Sequence, residues 1–124
     1  IIVYPDPACR QRKTSAGGMT DLNILQNAGL TVRVKNAHPQ IRDRINAVNS
    51  RLKNTNDQRM MFIDPKCKNI IRGLERHLYK EGTTQPDKDS GFDHMNDAIG
   101  YAVDYLFPIR KQYTKQLPQR WSVK

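Results

Sequence analysis

Apolar positions along the chain follow two periods. Met95, Ile99, Ala102, Val103 and Leu106 recur at helical spacing and predict a helix over 93–107 with one buried stripe. Ile41, Ile45, Val48 and Leu52 predict a helix over 41–53, with Arg42, Arg44, Arg51 and Lys53 on its remaining surface. Ile70, Ile71, Leu74 and Leu78 predict another over 66–80. Leu22, Leu25 and Ala28 mark a shorter helix, capped by Thr20 and ended by Gly29. The remaining apolar runs are short. Residues 1–4, closed by Pro5-Asp6-Pro7, read as a strand buried on both faces. Residues 31–35 alternate, with Val32 and Val34 on one side, and read as a half-exposed strand. Residues 59–63 read as a third strand. The order β-α-β-α-β-α-α predicts an α/β domain of mainly parallel strands flanked by helices.

The polar positions add chemistry to this frame. On the 93–107 helix, Asp93, Asp97 and Asp104 are expected opposite the apolar stripe, with His94 beside the first two. Carboxylates on a packed helix can fix a divalent metal. Acids in a first turn also complement the helix dipole, and Ser90-Gly91-Phe92-Asp93 reads as a capping box. Asp6 falls at the carboxyl end of the first strand, where ligands of open α/β sheets bind. Asp and Pro are turn formers too, so a structural role is equally open. Asp64, before Pro65, reads as a helix start. His38, before Pro39, reads as a turn residue.

Charge narrows the partners. The 124 residues carry 21 Lys and Arg against 12 Asp and Glu, a net charge of +9, which points to a polyanion, with nucleic acid first. The polar loop 8–19 holds Arg10, Arg12 and Lys13, and the strand after it holds Arg33 and Lys35. These five are candidate phosphate contacts, with a solvated loop as the alternative. No Gly-Lys-Ser/Thr closes the loop, so it is not a Walker phosphate loop. Cys9 and Cys67 have no metal-ligand spacing and read as reduced thiols in a cytosol. No apolar run is long enough for a membrane span. The chain opens inside an apolar run without a Met, which predicts a fragment.

Several stretches together are familiar. Tyr4-Pro5-Asp6-Pro7, the loop Arg10-Gln11-Arg12-Lys13-Thr14-Ser15, the helix segment from Asp43 to Asn49, Phe62-Ile63-Asp64-Pro65 and Phe92-Asp93-His94-Met95-Asn96-Asp97-Ala98 resemble one family. It is the C-terminal nuclease domain of the large terminase subunit of tailed bacteriophages. The resemblance spans about 1–111, leaving 112–124 as a basic tail. It implies a ribonuclease H-like three-layer fold and a metal-dependent endonuclease that cuts concatemeric phage DNA during packaging. It also implies an acidic triad binding Mg²⁺ or Mn²⁺, as a two-metal site in the complete domain. Asp6 matches the second acid and Asp97 the third. His94 sits where a nearby histidine is expected, and Asp93 is an accessory acid.

The acid of the family's first strand is expected upstream of Ile1, together with the first strands themselves. Cys9 stands where a small residue such as Gly is expected. The resemblance therefore implies weak metal binding and poor cleavage by this chain. The implied partners are double-stranded DNA, the portal and the small terminase subunit, in the host bacterial cytoplasm. An unpaired strand edge adds an expectation of self-association. A non-catalytic DNA-binding module and a packaging-partner docking domain are the competing readings.

Overall fold

The computed structural model describes residues 1–12, 17–89 and 91–109. Strand β1 (Ile2–Val3) leads into a single 3-10 turn (Pro7–Arg10). Helix α1 (Asp21–Asn27), strand β2 (Thr31–Val32) and helices α2 (Ile41–Leu52), α3 (Lys68–Arg76) and α4 (Asp93–Leu106) follow. β1 and β2 pair in parallel, with Ile2 opposite Thr31 and Val3 opposite Val32. The Thr31 and Arg33 amides donate to the Ile1 and Val3 carbonyls at 2.9 Å each.

Local chemistry accounts for the helix ends. The Thr20 hydroxyl accepts from the Asn23 amide at 3.1 Å, and the Asn23 side chain accepts from the Thr20 amide at 3.3 Å. This reciprocal capping box starts α1. Gly29, at φ +80°, closes its other end. α3 starts later than expected because Asp64 is used in a turn. Its side chain accepts from the Lys66 amide at 2.8 Å, and its carbonyl accepts from the Cys67 amide at 2.8 Å. Cys67 is then the N-cap. α4 begins after Phe92, which makes no side-chain cap. Ser90, the expected capping residue, lies outside the described residues.

The core is small and lies between α2 and α4. Ala47, Val48 and Val103 are buried, with Leu52, Met61, Leu74 and Ile99 packed around them. Gly100 lets α4 approach α2, since a Cβ there would sit 2.9 Å from Arg44 Cγ. Gly73 does the same for α3, where a Cβ would meet Asn96 Oδ1 at 2.7 Å.

Four expectations change. Residues 59–63 form no strand, because the Met60 and Met61 amides both donate to the Arg51 carbonyl at the end of α2. Those donors are then unavailable for a ladder, and Phe62 is left 82 % exposed. Among the described residues the sheet therefore has two strands. β1 is not buried on both faces: Ile1 and Ile2 are exposed and Val3 is half-buried. Arg44, expected on the polar side of α2, is buried. Finally, Asp93 and Asp104 are buried while Met95 and Leu106 are exposed. α4 is covered on more than one side: α2 and α3 pack on it, and Lys35, just past β2, ion-pairs with Asp104.

Candidate functional site

Asp6 follows β1 and caps the 3-10 turn, its Oδ1 accepting from the Ala8 amide at 2.8 Å. Its Oδ2 accepts from the Tyr101 hydroxyl at 2.9 Å. His38 Nδ1 stands 3.5 Å from Oδ1. Burial, and next the bond to Asp6, push the Tyr101 phenol up to about 12, so it remains a donor at neutral pH. The face of the Tyr101 ring carries the Arg44 guanidinium, with Cζ 4.4 Å from the ring centroid. Arg44 Nη2 in turn donates to Asp97 Oδ1 at 2.6 Å. A single relay, Asp6–Tyr101–Arg44–Asp97, thus joins the end of β1 to the second turn of α4.

The structure links Asp6 and Asp97 in this way without setting them face to face. His94 is not in the relay. Its side chain is largely exposed, and its Nδ1 lies 3.8 Å from Asp93 Oδ1. That Asp93 oxygen is buried and has no hydrogen-bond partner among the described residues. Oxygen donors suit a hard cation. Yet Asp6 and Asp97 each already have an internal partner, and among the described residues no three His, Cys, Asp or Glu side chains converge as a metal site. As arranged, the donor set does not fit a metal held between them.

The expected phosphate contacts divide. Arg33 and Arg12 are exposed. Arg10 turns back onto the chain, donating to the Val34 and Lys35 carbonyls at 3.0 and 3.2 Å. Lys35 is engaged by Asp104. Lys13 lies outside the described residues.

A model of the terminase RNaseH-like domain matches residues 8–106. The chain belongs to this family. No curated protein and no solved structure matches it. Membership of the terminase RNaseH-like family supports a nuclease-related role in DNA packaging. Asp97, Asp93 and His94 fall inside the matched span, and Asp6 lies just before it. Tyr101, Arg44 and His38 join the site without any motif in the sequence that marks them as members. For Arg44 two cues exist. It follows Ile41 and precedes Val48 at helical spacing, so it shares their buried side of α2. Gly100, a small residue inside an otherwise well-formed helix, marks the place where something bulky must fit.

Proposed function

We propose that this chain is a DNA-cutting domain of a phage packaging machine, a phosphodiesterase acting on double-stranded concatemeric DNA with Mg²⁺ or Mn²⁺. The reading takes Asp6, Asp97 and Asp93 as metal-directed carboxylates and His94 as an accessory group. It also extends the two-stranded sheet to a three-layer ribonuclease H-like fold. The observation that carries it is the family match over residues 8–106. The relay joining Asp6 to Asp97 supports it, because it brings strand end and helix into one network. Portal and small terminase subunit are the proposed protein partners, self-association through β1 a further contact, and the host bacterial cytoplasm the proposed location.

Since each acid has an internal partner, we expect this chain alone to hold metal weakly and cut poorly. Duplex DNA should bind through the net charge of +9, with affinity falling steeply as salt rises. The decisive experiment is plasmid cleavage in Mn²⁺ by wild type, Asp6→Ala and Asp97→Ala. Slow nicking lost in both variants supports the reading, and nicking retained in both refutes the assignment of these acids.

One observation favours a second reading. The Arg44–Asp97 and Tyr101–Asp6 contacts satisfy both carboxylates internally, as a non-catalytic DNA-binding module would require. Salt-sensitive duplex binding with no Mn²⁺-dependent nicking would favour that module.

A further inference from the structure

A cavity of about 180 Å³ opens between α2, α3, α4 and the segment after α3. Drug-sized ligands occupy sites of roughly 300–1,000 Å³, so this one holds a single ring-sized group. Val48 and Leu74 supply apolar wall, Tyr79 an aromatic one, and Arg44 and Asp97 a polar side. Tyr79 is 56 % exposed, which places the opening beside it.

The electrostatics select the ligand. Arg44 and Asp97 neutralise each other. His77 also lines the cavity, and its hydrogen bonds define its tautomer. Asn96 Nδ2, which can only donate, lies 2.9 Å from His77 Nδ1 and 2.9 Å from the Gly73 carbonyl. His77 Nδ1 is therefore the acceptor, and Nε2 donates to the Asp87 carbonyl at 2.7 Å. A phosphate would find no surplus positive charge here. An uncharged planar group would find a donor: Arg44 Nη1 is buried with no hydrogen-bond partner among the described residues. The Asp97 carboxylate beside it is an acceptor.

We propose that this cavity is a pocket for one unpaired, amino-bearing nucleobase of a DNA strand. Arg44 Nη1 donates to a ring nitrogen or carbonyl, Asp97 accepts from an amino group, and the ring lies against Val48, Leu74 and Tyr79. Adenine, cytosine and guanine offer that acceptor-and-donor edge. Thymine flanks its one ring N–H with two carbonyls, which the Asp97 carboxylate repels. A base in a duplex must leave the stack to enter. The inference rests on the DNA reading above and gives that site a preference for single-stranded character.

Asn49 lines the cavity yet is exposed on α2, so Asn49→Tyr fills the space without disturbing the core. Asn46→Tyr, exposed on the same helix outside the lining, is the control. The probes are adenosine, cytidine and thymidine, followed by backbone-amide NMR, and oligo-dA, oligo-dT and duplex DNA, followed by anisotropy. Adenosine and cytidine should shift the Leu74, Leu78 and Tyr79 amides, with thymidine much weaker. Asn49→Tyr should abolish those shifts and weaken oligo-dA about tenfold, leaving duplex binding and the Asn46→Tyr protein unchanged. Duplex binding without nucleoside shifts, or equal oligo-dA and oligo-dT affinity insensitive to Asn49→Tyr, overturns the base pocket and spares the DNA reading. Nucleoside shifts without binding of any DNA keep the pocket and remove the DNA reading.

Discussion

The seam between α2 and α4 and the edge formed by β1 and β2 are built on different principles. At the seam, Ala47, Val48 and Val103 are buried, and Gly100 allows a buried arginine to lie between the helices. At the edge, two residues per strand are paired and Ile1 and Ile2 face solvent. The seam supplies its own apolar contacts. The edge depends on polar ties to α4, namely Lys35 to Asp104 and Asp6 to Tyr101. Both candidate acids therefore sit where a thin sheet is anchored to a packed helix. Carboxylates there serve as anchors before they serve as ligands.

The largest effect should come from cutting the edge away from the helix. Asp104 is 4 % exposed at its side chain, so Lys35→Met strands a buried carboxylate and should destabilise by about 3–5 kcal/mol in urea unfolding. Lys35→Met with Asp104→Leu should recover most of that loss. No recovery would mean that packing, not charge, sets the contact. At the seam, Asp97→Ala leaves the Arg44 guanidinium unpaired and should cost roughly 3 kcal/mol, at the low end of the range for broken pairs because Asp97 is a third exposed. Asp97→Asn, which retains an acceptor, should cost less.

Gly100→Ala opposes two terms. Alanine favours a helix by about 1 kcal/mol, while the new Cβ crowds Arg44 Cγ at 2.9 Å at about 1–3 kcal/mol. A net loss near ~1 kcal/mol in thermal unfolding is expected from these terms, and a net gain would show that Arg44 yields easily. The smallest effect is Tyr101→Phe, which removes one bond to a half-exposed carboxylate at about 1 kcal/mol. It carries a pH signature. The Tyr101 phenol is raised from its ordinary value to about 12, so the folded state favours the protonated form. That contribution is complete below pH ~10 and is lost as pH rises towards about 12. Wild type should lose stability across this window more steeply than Tyr101→Phe. Parallel pH profiles would place the phenol in water.

Much of the helical frame was legible because its signals are local. Thr20 with Asn23, Gly29 and the apolar stripes of 41–53 and 93–107 act within a turn or two of themselves. The 59–63 run misled because an apolar run has the same appearance whether its amides meet a strand or the Arg51 carbonyl. His38 read as a turn residue, and only the fold sets it 3.5 Å from Asp6. Arg44 and Asp104 misled because a charged residue is expected outside unless paired, and their partners, Asp97 and Lys35, lie 53 and 69 positions away.

The sequence by itself determined where most of the helices lie, the basic character of the chain, and the acid-bearing segments that mark its family. Those properties depend on neighbouring residues and summed charge. Only the tertiary structure decided that Asp6 and Asp97 belong to one relay, that Arg44 is interior, and that a cavity lies beside it. Each of these depends on groups remote in the chain meeting within hydrogen-bond distance, and no local spacing encodes such a meeting.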